Sequence, residues 1–166
     1  MKAVQKLIVF SGLPGVGKST VARAVAGEFG YVYLRVDSIE TPFSQKMKVV
    51  GEGYEALVNV TRENLSLSNS VVVDLVNPLH LTRRMFLELA QQSEADIVQF
   101  ECVLYDKDEH RRRLENRMAT DQHNPSWQEV LNREYEVWDE YQDGERTIID
   151  ASSDDQAIRK IKEILA

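Results

Sequence analysis

The sequence has a single cysteine, Cys102, among its 166 residues. One cysteine excludes an internal disulfide framework, and it also excludes a zinc site built from several cysteines. Long apolar runs are also missing. The first apolar run, residues 7–10, is too brief for a signal-peptide core and far below the roughly 20 residues of a membrane span. We therefore expect a cytoplasmic protein that does not enter a membrane.

Positive charge is scarce as well. Lysine and arginine total 20 against 27 aspartates and glutamates, which gives a formal net charge of -7. A negative field repels phosphate backbones and argues against an extended nucleic-acid interface. An anionic ligand would therefore have to be held by a local group of positive charges. With 43 % hydrophobic and 28 % charged residues, the chain has the composition of a globular protein and the length of one domain, residues 1–166.

Short apolar runs alternate with segments of helical period along the chain. Five runs are predicted to be strands: residues 7–10, 31–36, 71–74, 97–104 and 147–150. Residues 18–29 have their apolar side chains on one face, as in a helix packed on a sheet, and Gly30 provides a C-terminal stop. This alternation predicts an α/β fold in which helices cover both faces of a parallel sheet.

Several helix starts are indicated by capping residues. Asn77 before Pro78, Asp106, Ser126 and Ser153 each have the sequence context of an N-cap. Residues 37–70 are less regular and become helical only around residues 54–67. We expect the insertion of about residues 38–70 to bind the substrate.

The segment 12–20, Gly-Leu-Pro-Gly-Val-Gly-Lys-Ser-Thr, matches the P-loop pattern between a predicted strand and a predicted helix. In such a loop, backbone N–H groups surround phosphate oxygens, the lysine reaches the outer phosphates and the serine hydroxyl binds magnesium. The alternative is a glycine-rich turn that only joins the strand to the helix. The residues predicted to bind the nucleotide are Gly12, Pro14, Gly15, Val16, Gly17, Lys18, Ser19 and Thr20.

Two aspartates end predicted strands, Asp37 after the second and Asp74 after the third. Ligands of parallel sheets bind at the carboxyl ends of the strands, so both side chains are candidates for the site. Phosphoryl transfer to an alcohol needs a carboxylate for the hydroxyl proton and oxygen ligands for magnesium. We predict Asp37 as the base, because the insertion begins directly after it, and Asp74 as a magnesium ligand beside Ser19. Alternatively, each aspartate only caps a turn.

An arginine-rich segment, residues 106–118, follows the fourth predicted strand. Arg113 and Arg117 share one helical stripe, and arginines placed there would stabilise charge on a transferring phosphoryl group. The polar residues 119–125 that follow are typical of a lid loop, so we predict a lid over about residues 106–126. The alternative is a solvated helix in which Glu109 pairs with Arg113.

With these motifs, the sequence resembles small P-loop kinases of the nucleoside-monophosphate-kinase-like group. It is most similar to the AAA-domain predicted kinases, with chloramphenicol phosphotransferase and polynucleotide kinase as relatives. The resemblance implies a five-stranded parallel sheet in the order 2-3-1-4-5 and ATP- and Mg²⁺-dependent phosphorylation of a hydroxyl. It also implies that Lys18 holds the phosphates, that Asp37 is the base and that Arg113 and Arg117 are lid arginines. The loop after Asp150 would lie near the adenine.

Three functions follow from this reading. The first is a kinase whose acceptor is a small molecule with a hydroxyl group. The second is a regulatory protein that binds a nucleotide without transferring phosphate. The third is a polynucleotide 5'-hydroxyl kinase, against which the net charge of -7 argues. The choice between ATP and GTP, the acceptor and the oligomeric state stay open at this point.

Overall fold

A five-stranded parallel sheet forms the centre of the fold. The computed structural model describes residues 4–44, 46–120 and 124–166. The strands are β1 (Lys6–Ser11), β2 (Val32–Arg35), β3 (Val71–Asp74), β4 (Asp96–Val103) and β5 (Thr147–Asp150). Their order in the sheet is β2-β3-β1-β4-β5, and all neighbours are parallel. The predicted α/β class and strand order are confirmed.

Helices connect the strands and cover both faces of the sheet. Their bounds are α1 (Lys18–Phe29), α2 (Val36–Ser44), α3 (Glu52–Ser66), α4 (His80–Gln92), α5 (Lys107–Met118), α6 (Trp127–Leu131), α7 (Glu140–Asp143) and α8 (Asp154–Leu165). Helix α2 begins directly after β2 and was not predicted. Within the described ranges, no helix is long and apolar enough to cross a membrane.

The central strand β1 is apolar on both sides, as expected for a strand covered by helices on two faces. Ile8 and Phe10 belong to one core layer, which includes residues of α1 and α8. Leu7 and Val9 belong to the other layer, with residues of α3 and α4. Successive side chains of a strand point to opposite faces, so this one strand fixes the sheet between the two layers and sets the position of the loop that follows it.

Three of the four predicted N-caps are confirmed. Asp106 accepts hydrogen bonds from Asp108 and Glu109 at the start of α5. Ser126 and Glu129 form a reciprocal capping box at α6. Ser153 caps α8 by accepting a hydrogen bond from the Gln156 N–H group. Short polar side chains thus begin these helices where the sequence indicates.

The predicted cap at Asn77 is wrong. Helix α4 begins at His80, and Leu79 occupies its N-cap position. Asn77 is buried in a left-handed conformation, with φ 54°, and its side-chain amide donates to the Ser11 hydroxyl at 2.9 Å. The buried Arg83 guanidinium binds the carbonyl oxygens of Asn77 and Pro78. These contacts hold the segment outside the helix and keep it against the end of β1.

Candidate active site

The loop between β1 and α1 has the backbone conformation that its glycines allow. Gly12 has φ +148°, and a Cβ atom there would lie 2.5 Å from the carbonyl oxygen of Cys102. A side chain at this position would therefore collide with the backbone of β4. Gly17, at φ +103°, is the N-cap residue of α1 in a left-handed conformation that disfavours other residues. The glycines thus let the loop pass close to β4 and turn directly into the helix.

The N-terminus of α1 is open to an anion. Among the described residues, no side chain caps it by a hydrogen bond. The first N–H groups of a helix have no partner within the helix, and they carry the positive end of the helix dipole. A phosphate group is therefore a suitable ligand for this position.

Lys18 and Asp74 form a buried ion pair directly beside this N-terminus. Lys18 Nζ donates to Asp74 Oδ1 at 2.9 Å, and the side chains are 9 % and 0 % exposed. The Tyr33 hydroxyl donates to the other carboxylate oxygen. Burial raises the pKa of Asp74, but the Lys18 charge and the hydrogen bonds from Ser19, Tyr33 and Lys18 together outweigh it, so the pKa lies below its usual range. Asp74 is therefore an ionised carboxylate near neutral pH.

Hydrogen bonding from Ser19 also lowers the pKa of Asp74. The serine hydroxyl, the carboxylate and the lysine ammonium thus meet at one point, where α1 faces the end of β3. By contrast, burial raises the pKa of Tyr33 to about 12, with a further contribution from the nearby Asp74 charge. Tyr33 therefore stays protonated and serves as a hydrogen-bond donor to the carboxylate.

A cavity of about 980 Å³ opens in front of this ion pair. It is bounded by the phosphate loop, helix α2, the end of β3 and residues from α5 and α6. The charged residues on its wall are Lys18, Arg35, Lys48, Arg117 and Arg133 against Asp37, Glu40, Asp74 and Glu129. These described side chains add up to +1, whereas the chain carries -7. The cavity is thus less negative than the rest of the protein.

Asp37 lines this cavity from the first turn of α2. Its carboxylate accepts a hydrogen bond from Arg35 at 2.7 Å, and the side chain is 54 % exposed. Strand β2 ends at Arg35 and α2 begins at Val36, so Asp37 lies within a helix and neither ends the strand nor caps a turn, as the alternative had it. A carboxylate in the first turn of a helix is favoured by the helix dipole. The helix therefore presents Asp37 to the cavity from a defined position.

Glu40 lies one turn further along α2 and also lines the cavity. Burial raises the pKa of Glu40, and the charges of Asp37 and Glu52 raise it further. Tyr54 of α3 reaches the same wall, and its hydroxyl accepts the Asn77 N–H group. This side of the cavity thus has two neighbouring carboxylates and a partly buried phenol.

The two arginines predicted to act together are separated. Arg117 lines the cavity, whereas Arg113 is engaged behind the phosphate loop. The Arg113 guanidinium donates to the carbonyl oxygens of Val16, Ala151 and Ser152 at 2.8–3.1 Å and pairs with Glu109. Arg113 therefore connects the phosphate loop to the loop after β5 and does not face the cavity. The Glu109–Arg113 pair, which belonged to the alternative of a solvated helix, is present.

The same face of α5 holds the phosphate loop at two further points. His110 is buried, and its Nε2 lies 2.7 Å from the carbonyl oxygen of Pro14. A carbonyl oxygen only accepts, so Nε2 donates its hydrogen. Leu114 packs against Gly15, where an added Cβ would lie 3.1 Å from the leucine side chain. Residues 110, 113 and 114 are neighbours on a helix surface, and together they form a brace against residues 14–16. We call this set the α5 brace.

The structure brings together most of the residues predicted for the site. Those on the cavity wall are Pro14, Gly15, Gly17, Lys18, Ser19, Asp37, Asp74 and Arg117. Three predicted residues do not line the cavity: Gly12 and Val16, which are buried, and Thr20, which is exposed to solvent. The predicted lid loop lies partly at residues 121–123, outside the described residues.

Sequence reasoning missed five residues that matter to the site: Arg35, Glu40, Tyr54, His110 and Arg133. The spacing of His110 with Arg113 and Leu114 is a helical signal that was available in the sequence. Nothing local indicated that the surface facing them is the phosphate loop. Glu40 could also have been predicted, because it lies one helical turn after Asp37, but only if helix α2 had been predicted first.

The phosphate loop and the 2-3-1-4-5 parallel sheet together define a P-loop protein with the fold of small kinases. The sequence profile of the AAA domain family matches residues 7–140. The chain belongs to this family, as the sequence resemblance implies.

A curated relative is the bifunctional polynucleotide phosphatase/kinase of Schizosaccharomyces pombe. It is 30 % identical over 120 residues, which are 72 % of this chain but 26 % of the relative. The chain thus spans about a quarter of that protein's length.

Solved structures share the fold over nearly the whole chain. The APS kinase of Mycobacterium tuberculosis, in complex with AMPPNP and APS, has a TM-score of 0.70 and 21 % identity, covering 98 % of this chain and 99 % of its own. A gluconokinase from Sinorhizobium meliloti 1021 has a TM-score of 0.65 and 17 % identity, covering 98 % and 96 %. At these identities the likeness establishes the fold.

Proposed function

We propose that the protein transfers the γ-phosphoryl group of ATP to a hydroxyl group of a small molecule. The observation that carries this proposal is the shared cavity. The buried Lys18–Asp74 pair at the phosphate loop and the Asp37 carboxylate on α2 line the same space of about 980 Å³. That space is large enough for a nucleotide and an acceptor side by side, since ligand cavities typically measure about 300–1,000 Å³.

In this proposal, the N-terminus of α1 and Lys18 bind the phosphates of ATP. Lys18 has a counter-ion in Asp74 at 2.9 Å, so a bound phosphate competes with that carboxylate for the ammonium group. Arg117 lies on the cavity wall and is placed to contact negative charge that spreads over the transferring group. The loop after β5, held by Arg113, would flank the adenine of ATP.

The residues beside Lys18 fit a magnesium ion. The Asp74 carboxylate is ionised and the Ser19 hydroxyl hydrogen-bonds to it, so two oxygen ligands lie together. The described residues contain no cluster of three acidic, histidine or cysteine ligands, and magnesium commonly takes one or two protein oxygens with substrate phosphates and water. When bound, the ion would neutralise charge on the phosphate oxygens.

Asp37 accepts the proton in the proposed transfer step. The acceptor oxygen forms a bond to the γ-phosphorus, and the bond from that phosphorus to the bridging oxygen of the β-phosphate breaks. The hydroxyl proton passes to the Asp37 carboxylate, and ADP leaves. Arg35, which donates to Asp37 at 2.7 Å, fixes the orientation of the carboxylate. A position in hydrogen-bond reach of the hydroxyl is what a general base requires.

The test is transfer of label from γ-labelled ATP to a panel of hydroxyl compounds. Lys18→Ala is expected to abolish ATP turnover, and Asp37→Asn to retain ATP binding while losing transfer by at least a hundredfold. Asp155→Asn is the matched control, because Asp155 also lies in the first turn of a helix. Retained transfer in Asp37→Asn would reject Asp37 as the base. Tight ATP binding without any labelled product would favour a nucleotide-binding regulatory protein instead.

A polynucleotide 5'-hydroxyl kinase is the second candidate, and the relative from Schizosaccharomyces pombe favours it. The cavity wall carries acidic as well as basic side chains, which favours a small acceptor over a polyanion. A 5'-hydroxyl oligonucleotide in the same panel separates the two. Its phosphorylation would have to decrease steeply with added salt, because binding a polyanion releases counterions.

A further inference from the structure

A second cavity of about 280 Å³ lies between helices α2 and α3. Its apolar wall consists of Ile39, Phe43, Met47, Val49 and Ala56. The remaining lining residues are Gly53 and two glutamates, Glu40 and Glu52. A pocket with this lining suits an apolar group. An apolar cavity of about 150 Å³ is sufficient for benzene, so this one has room for a substituted aryl ring or a branched alkyl group.

The apolar cavity adjoins the larger one. Glu40, Met47 and Val49 line both. Asp37 lies one helical turn before Glu40, and residues three apart on a helix share a face. A molecule with its hydroxyl group at Asp37 can therefore extend past Glu40 into the apolar cavity.

Glu40 is held at the boundary by its contact with Gly53. An ideal Cβ on Gly53 would lie 2.2 Å from both Cγ and Oε1 of Glu40. Any larger residue at position 53 would displace the glutamate, so Gly53 sets the position of Glu40 in the wall that the two cavities share. The carboxylate is half-buried there, which also raises the pKa of Glu40.

The side chains that form the outer wall are left in contact with solvent. Phe43 and Met47 are 54 % and 55 % exposed, although both lie beside the proposed acceptor site. Covering this surface with an apolar group removes it from water, at a gain proportional to the area covered. A ligand with an apolar part that covers this wall therefore binds more tightly than one without it.

We propose that the phosphoryl acceptor is amphipathic, with a hydroxyl group at Asp37 and an aryl or branched alkyl group in the cavity between α2 and α3. This inference rests on the proposed function, since it assigns the acceptor of that reaction. Simple polyols and sugars are poor acceptors in this proposal, because they have no apolar group to occupy the cavity between α2 and α3.

Binding is tested first, by methyl NMR of the ADP-bound protein labelled at its methionine methyl groups. Benzyl alcohol is the probe and glycerol is its polar counterpart. Benzyl alcohol is expected to shift the Met47 methyl signal, while Met85 and Met118, which do not line either cavity, stay unchanged. The proposal would be overturned if glycerol alone shifted the Met47 methyl signal, or if neither compound shifted it.

Transfer is tested next with two acceptors that differ only in the apolar group, 3-phenylpropane-1,2-diol and propane-1,2-diol. The phenyl compound is expected to have a kcat/KM at least tenfold higher. Phe43→Gln, at an exposed position that tolerates a polar residue, is expected to bring the ratio of the two kcat/KM values close to one. Ala56→Trp, which fills the cavity, is expected to do the same. Leu81→Gln is the control, because Leu81 is 70 % exposed and lies outside both cavities.

The outcomes separate this inference from the proposed function. Transfer to both diols at equal efficiency would overturn the apolar subsite and leave the kinase assignment standing. A Met47 shift without transfer to any acceptor would overturn the kinase assignment, and with it the identification of the occupant as a phosphoryl acceptor. A preference that disappears in Phe43→Gln but persists in Leu81→Gln would support both.

Discussion

Lys18 and Asp74 form a buried ion pair where the phosphate loop meets the end of β3. Their side chains, 9 % and 0 % exposed, meet at 2.9 Å between the first helix and the end of β3. An isolated buried charge is costly, so each member requires the other until a phosphate or a cation replaces it. Nucleotide binding therefore involves an exchange of partners at this point.

A double-mutant cycle on this pair is expected to reveal strong coupling. Lys18→Met and Asp74→Asn should each lower the free energy of unfolding by about 3 kcal/mol, because either change leaves one buried charge without its counter-ion. The double variant should lose less than the sum of the two. Denaturant unfolding followed by circular dichroism measures all four proteins.

The exposed pair of Lys162 and Glu28, at 2.6 Å, is the matched control for this cycle. Lys162→Met and Glu28→Gln should show a coupling below about 1 kcal/mol, as is usual for ion pairs in contact with water. Equal coupling in both cycles would contradict the importance of burial at Lys18 and Asp74.

The pH dependence of stability follows from the same carboxylate. The pKa of Asp74 is lower in the folded protein than its ordinary value of 3.8. The native state therefore binds fewer protons than the unfolded state in the range between the two pKa values, and stability rises with pH there. The contribution of Asp74 is complete above the ordinary pKa and is lost as the pH falls through the folded pKa.

Asp74→Asn removes this contribution. The difference in unfolding free energy between the wild type and this variant should be constant above about pH 5 and should shrink below about pH 4. Chemical denaturation at a series of pH values measures it. A difference that grows on acidification would mean that the pKa of Asp74 is raised in the folded state.

The local sequence was sufficient to predict the sheet and the phosphate loop. Apolar runs of four to eight residues between helical segments indicate buried parallel strands, because both faces of such strands are covered. The loop was recognisable because its glycines and Lys18 stand at fixed spacing. These signals depend only on neighbouring residues along the chain.

Contacts between distant segments could not be predicted in this way. Glu101 is unusual in an apolar strand, and the structure explains it by partners far along the chain, Arg146 and Tyr135. Helix α2 contains Pro42, and a proline inside a segment argues against a helix, so the sequence did not predict this one. The role of Arg113 depends on Val16 and Ala151, 97 and 38 residues away. No periodicity carries that information.

Gly12 lies so close to β4 that an alanine there should destabilise the protein, and Gly27 on helix α1 provides the control. Gly12→Ala should destabilise the protein by about 3 kcal/mol or more, because its Cβ would lie 2.5 Å from the Cys102 carbonyl oxygen in an unfavourable φ region. Gly27→Ala meets nothing within 4 Å on helix α1 and should stabilise it by about 0.5–1 kcal/mol. Thermal unfolding of both variants checks the two signs, and a tolerated Gly12→Ala would contradict the loop geometry.

Arg113 and its neighbour Arg112 offer a test of the α5 brace. Both pair with Glu109, but only Arg113 also donates to Val16, Ala151 and Ser152. Arg113→Gln should weaken ADP binding about tenfold, because the phosphate loop and the loop after β5 lose their common donor and a tenfold change, about 1.4 kcal/mol, corresponds to roughly one charged hydrogen bond. Arg112→Gln, at an exposed position, should leave the affinity unchanged.

The lid role implied by the family resemblance gives a different result for the same variant. If Arg113 contacts the transferring phosphoryl group, Arg113→Gln lowers kcat and leaves the ADP affinity unaltered, because that contact is made only in the transition state. Calorimetric titration with ADP and steady-state kinetics of the same preparation distinguish the two roles. Loss of affinity with a nearly constant kcat is expected, since the Arg113 guanidinium already has three carbonyl partners and a carboxylate, all outside the cavity.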